Sequence, residues 1–286
     1  MQESYRSEKA LKHFITEALK EDLGNGDHSS LAAIPADAQS SAKLLIKDKG
    51  ILAGVEMALA IFNHYDPNLT VNVSIEDGSK VKSGDIGFIV TGSARSILAC
   101  ERLVLNCMQR MSGIATYTAH LNSLIGKSKV KLLDTRKTTP NFRIAEKWAV
   151  AIGGGNNHRF GLYDMIMLKD NHIDFAGGIE KAILATQEYL KANNLHLKIE
   201  VETRSVNEVE QVLQVGGVDI IMLDNMTTAD MKKAVELING RAKTEASGGI
   251  TEETIADVAQ CGVDYISVGA LTHSVTSLDI SLKAKN

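Results

Sequence analysis

Between residues 136 and 169 the cations Arg136, Lys137, Arg143, Lys147, Arg159 and Lys169 face only Glu146 and Asp164, a local net charge of +4 to which His158 can add a proton. Guanidinium forks match carboxylate and phosphate oxygens two at a time, and lysine adds a movable point charge, so a pocket walled by such residues suits a small polyanion. Arg143 and Lys147 stand four apart in a helical pattern and read as surface residues instead. Downstream the sign reverses. Glu202 and Asp224 each end an apolar run, and two carboxylates at one mouth suit ribose hydroxyls or a hydrated magnesium ion. Ser247-Gly248-Gly249, before a helical pattern at Thr251, and Val268-Gly269-Ala270 carry no charge. Their glycines let backbone N–H groups approach a phosphate, helped by the helix N-terminus. Gly153-Gly154-Gly155-Asn156-Asn157 has no following strand, so it reads as a flexible loop presenting His158 and Arg159, not as a dinucleotide fingerprint. No Ser-His-Asp or Cys-His order stands out. The residues therefore point to a phosphorylated polyanion bound beside a metal or a sugar, with no covalent nucleophile required.

The elements that must hold these residues alternate. Strand-like runs cover 129–134, 164–169, 197–202, 219–224, 243–247 and 265–269, and helical patterns cover Ile179–Lys191, Val206–Val215, Thr228–Ile238 and Glu252–Gln260. Strands alternating with helices predict βα units and a parallel sheet. The last four units repeat every twenty-odd residues with hardly any loop, which favours a barrel, and six strands where a full barrel has eight make it an incomplete, open one. Each strand ends in polar residues or glycine (TRKT, KDNH, ETR, DN, SGG, VGA). A single charged strand end ordinarily just starts a solvated loop. Six ends with sorted chemistry predict one active-site mouth at the C-terminal face of the barrel.

The first half differs. AKLLIK, GILAGV, LTVNVSI and IGFIVTG are short, partly alternating runs separated by turns at Asp77-Gly78 and Gly84-Asp85, with helices expected at Glu56–Tyr65 and Ala94–Ser112 and an amphipathic helix through Leu11, Phe14, Ile15, Ala18 and Leu19. The hairpin grammar of EDGSKVKSGDIGFIVTG also occurs in biotinyl and lipoyl carriers, but no lysine is displayed on a tight turn as those require. The expected organisation is α/β: an α+β sandwich-like domain over 1–112, a barrel over 113–273, and residues from about 274 to 286 packing back on the first domain.

Composition removes other classes. A net charge of −4 over 286 residues argues against a globally basic nucleic-acid binder. Three cysteines (Cys100, Cys107, Cys261) without a CxxC pair suit free thiols in a reducing compartment, not disulfides or a zinc site. The N-terminal stretch is too charged for a signal peptide, and the apolar run at 51–62 falls short of the ~20 residues a membrane span needs. The expectation is cytoplasmic, with no membrane and no nucleic-acid partner. Only three prolines occur where an average of ~5% would give about fourteen, which predicts domains that abut without a Pro-rich linker.

The block LDTRKTTPNFRIAEKWAVAIGGGNNHRFGLYDMIMLKDNH (133–172) resembles the quinolinate phosphoribosyltransferases, and so do ERLVLNCMQRMSGIAT (101–116), IEVETRS (199–205), IIMLDNM (220–226), ASGGI (246–250) and ISVGALTHS (266–274). His28 and Ser29 depart from the commoner Val-Thr of that family's entry segment, away from the charged mouth. The resemblance implies transfer of phosphoribose from phosphoribosyl pyrophosphate to quinolinate with decarboxylation. Thr135, Arg136, Lys137, His158, Arg159 and Lys169 would then bind the dicarboxylate, with Arg102 reaching in from the neighbour in a homodimer. Glu202 and Asp224 would hold the ribose and Mg2+, while Ser247, Gly248, Gly249, Val268 and Gly269 would take the phosphate. Lys137, Lys169, Glu202 and Asp224 would act in catalysis. Three alternatives stay open: a paralogue with another acceptor, of the kind associated with molybdenum transport; a non-catalytic sensor of phosphorylated sugars; and a barrel lyase or isomerase.

Overall fold

The computed structural model describes residues 4–285. The chain opens with α1 (Glu8–Leu23), capped by the Ser7 hydroxyl accepting from the Ala10 N–H, and α2 (His28–Ala33). β1 (Gln39–Ile46), β2 (Gly50–Ile51), α3 (Val55–Tyr65), β3 (Thr70–Val73), β4 (Lys80–Val81), β5 (Ile86–Ser93) and α4 (Ala94–Ile125) follow. In β1 alternate residues Ala42, Leu44 and Ile46 are buried, the period-2 pattern of a strand with one face on a core. α3 lays Met57, Ala58, Ile61 and Phe62 on that core, and Phe62 meets Phe88 of β5 edge to face at 6.0 Å. α4 runs 32 residues, well past the expected end at Ser112. Gly113, a helix stop by type, here sits inside the helix because any Cβ would overlap the Thr276 carbonyl.

The second half contributes β6 (Lys131–Leu133), α5 (Arg143–Ile152), β7 (Ile166–Leu168), α6 (Asp170–Ala176), α7 (Ile179–Ala192), β8 (Ile199–Thr203), α8 (Val206–Val215), β9 (Ile220–Asp224), α9 (Thr228–Ile238), β10 (Lys243–Ser247), α10 (Ile255–Ala259) and β11 (Tyr265–Ser267). α11 (Ala270–His273) and β12 (Ile280–Ala284) close the chain. The chain divides into two compact units. One comprises residues up to Ala119, Lys137–Gly154 and everything from Ala270 on; the other comprises His120–Arg136 and Gly155–Gly269.

In the first unit a four-stranded antiparallel sheet has the order β12-β1-β5-β3, so the last strand pairs with the first. α5 belongs to this unit and is enclosed: every residue from Ile144 to Val150 is buried. Lys147 is fully buried and not the surface residue its spacing suggested. A four-residue spacing shows which residues share a helix face, not whether that face meets water. Here Phe14 stacks obliquely on Phe142, and the Arg6 guanidinium covers the Trp148 ring.

The second unit carries a six-stranded, all-parallel sheet in the order β6-β11-β10-β9-β8-β7. The spacing of the runs predicts an incomplete, open βα barrel, and the sheet has six strands with β6 and β7, its first two, at the unpaired edges. The free edge of β6 gains a single parallel bridge from Leu133 to Asn156, with the Asn156 N–H donating to the Leu132 carbonyl. The glycine-rich segment is thus pinned to the sheet at Asn156 and is no free loop. Ile221, Leu223, Ala246 and Ile266 on the outer face are fully buried under helices that bring Val209, Ala234, Ile238 and Ile255.

Candidate active site

Register decides which side chains share the barrel interior. In a parallel sheet paired residues point to the same face, and every second residue joins them. Glu200 pairs with Met167 and Ile220, Glu202 with Met222, Glu245 with Met222 and Tyr265, and Ser247 with Asp224. The inner face therefore carries an upper layer, Glu202, Asp224 and Ser247 near the C-terminal strand ends. Below it lie Glu200 and Glu245 among Met167, Ile220, Met222 and Tyr265.

Of the upper layer, Glu202 is nearly enclosed and lies 3.6 Å from Lys169 Nζ, the residue that follows β7. Burial raises the Glu202 carboxyl above its usual range; Lys169 opposes this, while the negative charge of Asp224 adds to it. Two carboxylates that repel each other at a half-open mouth are a fitting seat for a hard cation. Asp224 also accepts from Asn225 Nδ2 at 2.6 Å, and the Asn225 N–H donates to the Ser247 carbonyl, which ties the ends of β9 and β10 together.

Gly248 has φ of +87° and Gly249 of +61°, and a Cβ on Gly248 would overlap the Asn225 amide. Only glycine fits this turn. The helix after it begins at Ile255, not Glu252, and has five residues, because Thr251 and Thr254 spend their hydroxyls on a local turn. The helix dipole expected from the sequence is therefore small, and what this turn can offer an anion is its glycine N–H groups. Val268 is buried, its N–H donating to the Leu133 carbonyl, and Gly269 directly precedes α11.

On the cationic wall, Thr135 and Arg136 follow β6 and are partly buried. Burial, and after it the positive charge of Arg136, pulls the Arg159 guanidinium below its usual range. The carboxylates of Glu200 and Asp164 act on Arg159 in the opposite direction. Arg159 Nη1 donates to the Met165 carbonyl at 3.3 Å.

His158 is differently engaged. Its Nε2 lies 3.0 Å from Glu200 and 3.3 Å from Glu245, both fully buried, and its Nδ1 accepts from the Arg159 N–H at 2.7 Å. Burial disfavours a charged imidazole and the two carboxylates favour it, but with Nδ1 accepting from the Arg159 N–H the ring carries its one proton on Nε2, facing the carboxylates. Burial and then the charge of Glu245 push Glu200 up to about 7. These three residues form the one close cluster of metal-ligating types among the described residues, with donor atoms within 4.8 Å of one another. The separations of 3.0 and 3.3 Å are also those of direct contacts between an imidazole and two carboxylates. Asp134, also buried, accepts from the His158 N–H at 2.8 Å and from Asn157 Nδ2 at 2.7 Å.

Lys137 and Arg102 lie in the first unit, and both are exposed. The Lys137 carbonyl accepts from the Thr272 hydroxyl at 2.8 Å. The loop behind it is held by Glu146, which is fully buried and accepts from Arg110, the Thr139 N–H and the Thr139 hydroxyl. Arg110 also donates to the Thr272 and Val275 carbonyls.

Glu200, Glu245, Asp134 and the Arg110–Glu146 pair escaped the sequence reading. A signal for the first two was present: in KIEVE and KTEAS a charge interrupts an apolar run two residues before a candidate site residue, hence on the same strand face. Nothing in the spacing of Arg110 and Glu146 announces that they meet.

Comparison with known proteins places this geometry. The family model for the C-terminal domain of quinolinate phosphoribosyl transferase matches residues 114–283, and that for its N-terminal domain matches residues 27–112. The chain is 49% identical over 288 residues to the mitochondrial decarboxylating quinolinate phosphoribosyltransferase 2 of Nicotiana glauca, spanning 96% of this chain and 82% of that protein. It is 40% identical over 274 residues to the probable carboxylating nicotinate-nucleotide pyrophosphorylase of Bacillus subtilis, covering 96% and 92% respectively. The crystal structure of NadC from Streptococcus pyogenes superposes with a TM-score of 0.90 at 40% identity, over 98% of this chain and 99% of that one. By sequence along nearly its whole length and by fold, the chain belongs to the quinolinate phosphoribosyltransferase family.

Proposed function

We propose that this chain transfers phosphoribose from 5-phosphoribosyl 1-pyrophosphate to quinolinate with loss of carbon dioxide, yielding nicotinate mononucleotide and pyrophosphate for NAD biosynthesis. One observation carries the reading beyond family membership. The same barrel holds a partly desolvated guanidinium pair, Arg136 and Arg159, and a mutually repelling acid pair, Glu202 and Asp224. The first suits an anionic acceptor. The second needs a cation or a centre that becomes positive.

In this reading Thr135, Arg136, Arg159 and Lys169 bind the two carboxylates of quinolinate together with Lys137, holding the pyridine nitrogen against the anomeric carbon; His158, expected among them, has its ring nitrogens turned to Glu200, Glu245 and the Arg159 N–H instead. Ser247, Gly248, Gly249 and Gly269 hold the 5-phosphate through backbone N–H groups, while Val268, whose N–H is taken by the Leu133 carbonyl, can only line the site. Glu202 and Asp224 would hold Mg2+, whose charge offsets that of the pyrophosphate when bound. The pyridine nitrogen bonds to the anomeric carbon as the bond to the pyrophosphate oxygen breaks, and that oxygen keeps the electron pair. Glu202 and Asp224 face the positive charge that develops on the ribose, so positioning and electrostatics supply most of the acceleration. The bond from C2 to its carboxylate then breaks. Its electron pair stays at C2 beside the cationic ring nitrogen, stabilised by Lys137 or Lys169, until a proton from solvent takes it up.

Arg102, exposed on α4 with Leu98 exposed one turn before it, completes the neighbour's pocket in a homodimer. The three cysteines are free and buried, which supports a reducing, cytoplasmic setting. No helix among the described residues is long and apolar enough to cross a membrane. The test is pyrophosphate release that depends on quinolinate, with and without magnesium. Lys137→Ala and Arg159→Ala should each lose about 100-fold or more in turnover; near-normal turnover in either would overturn the assignment.

A further inference from the structure

The lower layer of the barrel interior has no part in the chemistry above. It is expensive: Glu200, Glu245 and the His158 ring are ionisable groups enclosed among Met167, Ile220, Met222 and Tyr265. Apolar side chains would fill the same space without that cost, so packing does not explain them. What they do have is a hold on one edge of His158, whose other ring nitrogen accepts from the Arg159 N–H.

We propose that Glu200 and Glu245 are positioning residues of the acceptor clamp: they fix the His158 ring, and through the turn that it anchors they aim the Arg159 guanidinium at a carboxylate of the acceptor. This rests on the acceptor reading above. The turn is held from both sides. Before Arg159, the Asp134 carboxylate takes the His158 N–H and the Asn157 amide. After it, the Asp164 carboxylate takes the Phe160 N–H at 2.7 Å and the Gly161 N–H at 2.8 Å. The His158 ring is the third anchor, and the one directly bonded to the Arg159 backbone. It reaches across to β8 and β10, two strands that are not neighbours in the sheet, so it fixes the turn to the barrel as a whole. A clamp that must present a planar fork in a fixed orientation needs such backing, because a bidentate contact loses strength with small rotations.

Glu200→Gln and Glu245→Gln in the full chain test this by steady-state kinetics with quinolinate and phosphoribosyl pyrophosphate varied in turn. Each is expected to raise the KM for quinolinate about tenfold and to leave the KM for phosphoribosyl pyrophosphate unchanged. In an Arg159→Lys background, whose lysine lacks the fork, the same changes should add almost nothing to the quinolinate KM. A merely structural role would lower kcat or shift both KM values together, and its effects would add in that background. Either result overturns the proposal, as does failure of both variants to fold, which would assign the pair to stability; if one alone fails, the other completes the cycle. Equimolar transition metal in the purified enzyme, whose chelation by itself raises the quinolinate KM, would also overturn it. An inactive wild type would remove the acceptor reading and this inference together, whereas an active wild type with unselective variants removes this inference alone.

Discussion

Proton sharing is the consequence of placing His158 between Glu200 and Glu245 away from water. Burial and the charge of Glu245 raise Glu200 to about 7, so the folded protein keeps a proton that the unfolded chain releases, while His158 keeps its one ring proton on Nε2 because Nδ1 accepts from the Arg159 N–H. The contribution of Glu200 is fully present below the ordinary value of 4.5 and gone above about 7. The urea midpoint of the wild type should therefore fall between pH 4.5 and 7, and more steeply than that of the Glu200→Gln/Glu245→Gln double variant. Identical slopes would show that the cluster does not hold this proton. At the clamp itself, Arg159→Lys keeps the charge and removes the fork, so the KM for quinolinate should rise by about tenfold or more while the donor KM stays put. The upper layer of the site was legible because each of its residues ends a strand. The lower layer was not: a glutamate in mid-strand shows its role only once the register places it beside an imidazole from a different segment.

Elements were legible where one face alone is buried. α8 and α9 occupy the spans that their apolar spacing predicts, Val206–Val215 and Thr228–Ile238, because each lays one stripe on the outer face of the barrel. α5 misled for the opposite reason: buried all round, it takes Glu146 and Lys147 inside with it, and period carries no information there. α4 misled through a glycine. In an exposed helix Gly→Ala stabilises by about 1 kcal/mol, but at Gly113 the added methyl would meet the Thr276 backbone. Gly113→Ala should therefore destabilise by about 1–3 kcal/mol, the range for overpacking, as read by urea unfolding. A gain in stability would mean that the segment at Thr276 yields freely.

On the scale of the molecule, the net charge of −4 averages over a cationic stretch of +4 and an acidic remainder. That separation of sign was legible in the sequence; the pairing of β12 with β1 was not, because a short final strand carries no mark of its distant partner. The homodimer is a proposal that rests on the resemblance, since Arg102 by itself is one more exposed arginine. If it completes a neighbour's pocket, mixing inactive Arg102→Ala with inactive Lys169→Ala should restore about a quarter of the sites by random re-pairing. No recovery after verified exchange of subunits would place Arg102 outside the active site.

The central claim is that the cationic wall and the acid pair serve one reaction, a phosphoribosyl transfer coupled to decarboxylation. Its most direct measurement supplies quinolinate labelled at the 2-carboxylate together with phosphoribosyl pyrophosphate and Mg2+, and follows labelled carbon dioxide and pyrophosphate in the same reaction. The account predicts equal amounts of the two products, each dependent on both substrates and on Mg2+, and nicotinate in place of quinolinate giving neither. Pyrophosphate released without carbon dioxide, or equal turnover with nicotinate, would contradict it.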